Sequence, residues 1–343
     1  MLSIRNMPKF ALFVVALLGM AVVSVGVPDL AAIDDIELST MWQQWKTAHG
    51  RNYRTRTSEE VNRRAAFVEN VDRVRSWNSR AIEPGSEKLA LNDFADMTHD
   101  EYVSTLMFAR RPAPAEAEPN AVPTPGPLAN IPTSIDYRTS GFIEPVLDQG
   151  HCGSCWAFSI AGVVSGVRAK AGLGLATFSP QQMLDCLMGP YNFGCSGGDT
   201  VSAAEYVVRY GLQHERTYPY AEVDGTCRYN RSSTGLYRPS GFVQIASRNE
   251  RALAEALVAH GPVSVAINAS PASIQLYGGG VIRDRTCDPN ALNHAVVLVG
   301  YTSTYWILKN SWGASWGLNG YFHIARNAGN ICGVATYAVA VKR

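Results

Sequence analysis

Apolar positions along this chain recur first on a helical period and later on a strand period. Between Leu38 and Asn78 the aromatics Trp42, Trp45 and Tyr53 stand in a charged background, which predicts two amphipathic helices. The second should open at a Ser58 N-cap, with Glu59 and Glu60 in the first turn where the helix dipole favours acids. Glu59, Arg63, Phe67, Asn70, Val74 and Asn78 follow at steps of three or four and define one face of it. Trp156, Ala157, Phe158, Ile160, Ala161, Val163, Val164 and Val167 predict a buried helix with Cys155 in its first turn. Shorter helices are predicted from Ser179-Pro180 to Cys186 and over 201–210. After Gly241 short apolar runs predict strands over 263–267, 295–300, 305–309 and 321–325. One helix, 250–260, interrupts them and stops before Gly261-Pro262. A helix-rich half followed by a strand-rich half predicts an α+β fold of two subdomains with a cleft between them, behind a helical N-terminal unit.

Composition narrows the class. The chain has 343 residues, 46% hydrophobic and 17% charged, enough for more than one folding unit with a large core. A net charge of +1 leaves no basic stripe for phosphates and excludes nucleic acid as a partner. All seven cysteines fall between Cys152 and Cys332; an odd number fits three disulfides and one free thiol, which requires an oxidising compartment. The N-terminus provides the route: Arg5 and Lys9, then apolar Phe10 to Val23, then Ser24 and Gly26, predict a signal peptide over 1–26. A membrane anchor competes, because the uncharged run from Phe10 to Val27 approaches a spanning length. Pro112, Pro114, Pro119, Pro123, Pro125, Pro127 and Pro132 mark 110–132 as an extended linker, a domain boundary open to cleavage.

The candidate chemistry centres on Gln149-Gly-His-Cys-Gly-Ser-Cys-Trp-Ala-Phe-Ser159. A helix N-terminus favours thiolate over thiol, so Cys155 is a candidate nucleophile. Cys152 and Cys155 alone also fit a redox pair or half of a zinc site, and those readings stay open at this point. Two further features lie downstream. His294 stands at the mouth of an apolar strand, and Asn310 follows the next strand in Asn-Ser-Trp-Gly.

Cys-Gly-Ser-Cys-Trp, with His and Asn far downstream, resembles the papain-like cysteine proteases of the cathepsin L type. His294 lies 139 and Asn310 155 residues after Cys155, against roughly 130–150 in that family, so Asn310 falls marginally outside. The face of the second helix resembles the interspersed Glu-Arg-Phe-Asn-Ile-Asn pattern of the family's propeptides, with Val74 for Ile. Ala90-Leu-Asn92-Asp-Phe94-Ala-Asp96 resembles their Gly-x-Asn-x-Phe-x-Asp segment, with Ala90 for Gly. Ile131-Pro-Thr-Ser-Ile-Asp-Tyr-Arg138 is similar to a mature N-terminus. The resemblance therefore implies a papain-like fold with a helical left half and a β-barrel-like right half, a propeptide over 27–129 and a peptidase domain over 130–343.

It also implies roles. His294 would take the Cys155 proton and later protonate the leaving amine, and Asn310 would orient the imidazole. Trp312 would shield that bond, and Gln149 with the Cys155 N–H would hold the oxyanion. Neither metal nor cofactor is required. The implied disulfides are Cys152–Cys195, Cys186–Cys227 and Cys287–Cys332. Gly197 and Gly198 would pair with the substrate backbone; Asp199, Thr200, Ala266, Leu292, Asn293, Ala295 and Tyr337 would line the substrate site. Tyr337 would make the second subsite shallow, and Asp199 at its rim suggests a basic side chain there. No insertion blocks the cleft, so an endopeptidase is expected. Expected partners are protein substrates, the chain's own propeptide released by acid, and cystatin-like inhibitors. A monomer free of membrane after signal removal, in a lysosome, acidic vacuole or outside the cell, completes the picture. Asn230-Arg-Ser and Asn268-Ala-Ser are glycan acceptor patterns. A thiol–disulfide oxidoreductase, which needs Cys152 free, and a catalytically silent binding module are the alternatives.

Overall fold

Aromatic side chains decide how the N-terminal helices meet. In the computed structural model, which describes residues 34–80, 83–107 and 130–343, helices α1 (Asp35–Ala48) and α2 (Ser58–Ser79) share a core of Trp42, Trp45, Phe67, Val71 and Val74. Trp42 stacks on Trp45 and on Tyr53 with centroids 5.5 and 5.9 Å apart. The α2 cap is Thr57, one residue earlier than expected, because its hydroxyl reaches the Glu60 N–H while Ser58 is already helical. The predicted signal segment and most of the linker lie outside the described residues.

The patterned face of α2 holds the segment that follows. Asn70, 1% exposed, donates to the carbonyls of Ala95 and Met97, and Asn78 bonds both N–H and C=O of Leu89. Arg63 pairs with Glu101 of α3 (His99–Leu106). These bonds align β1 (Lys88–Leu89), which leads into α3.

The rest divides around one helix. Short β2 (Ile135–Asp136) precedes α4 (Cys155–Arg168), whose first thirteen residues are all buried. On one side α4 packs with α5 (Pro180–Cys186) and α6 (Thr200–Tyr210). The other side faces a sheet built from β3 (Gly241–Gln244), β4 (Val263–Ile267), β6 (Val281–Ile282), β7 (His294–Tyr301), β8 (Tyr305–Lys309), β9 (Tyr321–Ala325) and β10 (Tyr337–Lys342). Its order is β3-β10-β4-β7-β8-β9-β6, with β2 beside β7, and its end strands do not pair, so the barrel-like half is an open sheet rather than a closed barrel. Helices α7 (Glu250–His260) and α8 (Ala272–Gln275) and strand β5 (Tyr277–Gly279) complete the α-helices and strands of the described residues. Ser159 anchors α4 to the sheet through Ser264 Oγ at 2.7 Å and Val296 O at 2.8 Å.

The N-terminal unit docks by strand addition. β1 pairs antiparallel with β5, Leu89 opposite Tyr277, and the Ala90 N–H donates to Leu276 O at 2.8 Å. Phe94 and Tyr102 then set their rings edge-on against Trp312.

The candidate active site

Three elements carry the residues that the resemblance implied. Cys155 starts α4, His294 starts β7, and Asn310 follows β8, the strand paired with β7. Cys155, His294 and Gln149 are fully buried. The His294 ring nitrogen Nε2 meets Asn310 Oδ1 at 2.8 Å, and the same oxygen accepts the Ser311 N–H at 2.9 Å. Trp312 stacks on the imidazole at 4.6 Å, covering the bond to Asn310. Cys155 is the single free cysteine among the described residues.

Gln149 is held from both sides. Its Oε1 accepts from Ser311 Oγ at 2.7 Å, and its Nε2 donates to Cys152 O at 2.9 Å and to Leu106 O at 3.3 Å. Leu106 ends α3, so a carbonyl of the N-terminal unit occupies the donor beside the thiol. Tyr220 steadies this loop by donating to Gln149 O at 2.7 Å and bonding Ser154 Oγ at 2.7 Å.

Burial dominates the titration of the pair. Desolvation pushes the Cys155 thiol up to about 12, against the lowering effect of N–H groups from Ala295, Trp156 and Cys155 itself. Desolvation likewise pulls His294 down to about 4, against its bond to Asn310. The helix N-terminus was expected to favour thiolate; at this fully buried thiol, loss of water outweighs it.

The three disulfides are those the resemblance implied: Cys152–Cys195, Cys186–Cys227 and Cys287–Cys332. Cys152 is therefore not a redox partner for Cys155. Gly153 is required where it stands, since a Cβ there would lie 2.6 Å from Cys195 O. Gly198 packs its α-carbon against the Trp156 ring, where a Cβ would come within 2.5 Å, and Gly197 has φ +110°.

The expected substrate residues fall into two groups. Ala266 lies opposite Ala295 and Tyr337 on adjacent strands, and the Tyr337 hydroxyl donates across to Asp199 Oδ1 at 2.5 Å. Asp199 Oδ2 caps α6 through the N–H and hydroxyl of Ser202, and Thr200 is the buried first residue of that helix. Leu292 packs instead near Gly333, and Asn293 spends its side chain on Ala269 N and Ser270 Oγ. Both Asp199 oxygens are thus hydrogen-bonded, which holds the carboxylate between β10 and the start of α6. Of the glycan patterns, Asn230 is exposed, whereas Asn268 is 6% exposed and bonded to Asp288 O.

Comparison with known proteins fits this geometry. The model of the papain family cysteine proteases matches residues 131–342, and that of the cathepsin propeptide inhibitor domain (I29) matches 42–102. The chain belongs to the papain family of cysteine proteases. It is similar to mouse cathepsin K, 39% identical over 88% of this chain and 92% of that protein. It is also similar to the cathepsin L-like proteinase of Fasciola hepatica, 37% identical over 93% and 96%. Among solved structures, digestive procathepsin L 3 of the Tenebrio molitor larval midgut superposes with a TM-score of 0.79 at 36% identity, covering 89% of this chain and 99% of that one. The chain is therefore a papain-type cysteine peptidase carrying its own propeptide inhibitor domain, and the N-terminal unit described above is that propeptide.

Sequence reasoning missed four residues that shape the site. Ser311 and Tyr220 hold Gln149; Leu106 fills its donor; Glu144 lies buried behind Asn310. Ser311 was visible inside Asn-Ser-Trp-Gly, but the other three carry no local signal. No helix among the described residues is long and apolar enough to cross a membrane.

Proposed function

We propose that this protein is a secreted or lysosomal endopeptidase zymogen that hydrolyses peptide bonds through Cys155 and His294. Once the propeptide leaves, water and mutual charge favour a thiolate–imidazolium pair in place of the neutral groups. The thiolate attacks the substrate carbonyl while Gln149 Nε2 and the Cys155 N–H hold the oxyanion. His294 protonates the leaving amine, and water, deprotonated by His294, releases the acyl-enzyme. Asn310 orients the imidazole by accepting its Nε2–H, a neutral counterpart of the carboxylate in serine-protease triads. The proposed boundaries are a signal over 1–26, a propeptide over 27–129 and a mature enzyme from 130, acting as a monomer on protein substrates.

The observation that carries this reading is the Gln149 amide bonded to Leu106 O, a peptide carbonyl at the spot where a substrate carbonyl must go. The second subsite is proposed to be shallow, closed by Tyr337 and lined by Asp199, Thr200, Ala266 and Ala295, with Asp199 at its rim to receive a basic group. Acidification of the purified proform, as parent and as Cys155→Ala, tests the whole. Cleavage near residue 130 with a gain of peptidase activity in the parent alone supports the reading. Equal processing of both with no hydrolysis by either sinks it.

A further inference from the structure

Glu144 and Lys309 form an ion pair with both side chains buried, 3% and 6% exposed, Nζ to Oε1 3.4 Å. Burying two charges is expensive unless their remaining polar atoms are also satisfied. Glu144 comes from the segment ahead of α4, and Lys309 is the last residue of β8, directly before Asn310. The pair thus ties the two subdomains together behind the imidazole's partner. Gly162 of α4 leaves the room: a Cβ there would lie 3.3 Å from Glu144 Oε1 and 3.0 Å from Val297.

Two polar atoms beside this pair have no partner. One is Glu144 Oε2, which can only accept; the other is Asn310 Nδ2, which can only donate. Glu144, Lys309 and Asn310 line one cavity with about 20 Å³ of room for the centre of a water molecule, walled also by Ala295, Val297 and Ser311. A single water needs roughly 10–15 Å³ and two or more polar partners. Each orphaned group left unpaired would cost about 1–3 kcal/mol.

We propose that Glu144 is a positioning residue of the catalytic site: one water in this cavity accepts from Asn310 Nδ2 and donates to Glu144 Oε2, locking the Asn310 amide with Oδ1 toward His294. A flipped amide would set Nδ2 against the N–H groups of His294 and Ser311, so the tether holds the one productive orientation. The carboxylate also polarises the chain water–Asn310–His294, lending a neutral amide part of the character of an acid. Lys309 supplies the counter-charge at the other oxygen.

This inference rests on the roles proposed for His294 and Asn310, and the test separates the two. Variants are made in the full chain, matured by acid, and compared per active site counted with an irreversible thiol reagent. Glu144→Leu with Lys309→Met removes both charges together, a change that buried pairs often tolerate in stability. The expected result is a kcat roughly ten-fold lower at little-changed KM, the loss of one buried hydrogen-bonded link. Glu144→Gln with Lys309→Met keeps an acceptor for the water and should recover most of that activity. In an Asn310→Ala background the Leu/Met pair should cost almost nothing further, because the residue it positions is gone. Unchanged kcat in the Leu/Met pair, no recovery with Gln, or an equal loss without Asn310 each overturns the proposal. Should the Leu/Met pair fail to fold, a crystal structure of the parent mature enzyme decides. A water bonded to both Glu144 and Asn310 supports the bridge, and a dry cavity overturns it. An inactive parent would instead mean that the proposed function itself fails.

Discussion

At the scale of single residues, the proposed silencing of the proform works by substitution of partners rather than by distortion. Gln149 keeps in this structure the pose that its proposed oxyanion role needs, because Ser311 and the Cys152 carbonyl fix its amide and Leu106 borrows its donor. Gln149→Ala should therefore leave substrate binding nearly intact and lower kcat of the mature enzyme about 100-fold, the usual effect of losing one oxyanion donor. Initial rates on a fluorogenic dipeptide check this, and a change confined to KM would refute it. The proposed second subsite is also bounded by a side-chain pair. Tyr337 reaches across to Asp199 and closes the space between β10 and the start of α6. Tyr337→Ala should deepen that space and raise kcat/KM for a Phe-bearing over a Val-bearing peptide by roughly ten-fold, as burial of the added carbon atoms would give. Equal preference before and after would show that Tyr337 does not bound the subsite.

At the scale of elements, the sequence was most legible where a pattern is long. The strands at Val263–Ile267, Tyr305–Lys309 and Tyr321–Ala325 and the helix Glu250–His260 have the limits that periodicity predicted. β3 and β10 were not singled out, since Gly241 and the run around Tyr337 carry too few alternations to stand apart from loop. The proposed catalytic residues were legible because each sits in a motif. Leu106, Tyr220 and Glu144 were not, because their roles arise from contacts 43 to 165 residues away in sequence. Docking by β1 was equally invisible, being only two residues long. It can be broken from the enzyme side alone. A Cβ on Gly278 would fall 2.7 Å from that of Ala90, while the backbone there needs no left-handed conformation. Gly278→Ala should weaken inhibition by added propeptide about ten-fold, the overpacking cost of 1–3 kcal/mol. Hydrolysis of short peptides should not change. Inhibition constants measured in trans decide; an unaltered constant means that strand addition contributes nothing to inhibition.

At the scale of the whole molecule, the proposed acid release of the propeptide would depend on which buried carboxylates change charge at the interface. Burial would raise Asp93, but hydrogen bonds from His49 and Ser315 and the positive charges of His49 and Arg51 outweigh it and hold the carboxyl below its ordinary range. His49, which had no role in the sequence, bonds Asp93 Oδ1 at 2.7 Å, and Ser315 of the enzyme bonds the other oxygen. Of these partners only Ser315 belongs to the enzyme, where Asp148 opposes Asp93 as a like charge, so the share of the depression that counts toward docking is present above the undocked value and is lost as pH falls through the docked one. Asp96 and Glu87 behave oppositely. Burial raises both, and the bonds from Tyr53 to Asp96 and from the Arg283 N–H to Glu87 offset it only in part. These two take up protons more readily when docked, so acid strengthens their share of the docking. We propose Asp93 as the carboxylate whose protonation would weaken docking, although Asp96 carries the family motif. Asp93→Asn should let processing begin at higher pH, with its midpoint raised by ~1 unit, whereas Asp96→Asn should not raise it. Following chain mass across a pH series for the two variants and the parent tests the assignment, which is lost if the midpoint moves upward for Asp96→Asn and stays in place for Asp93→Asn.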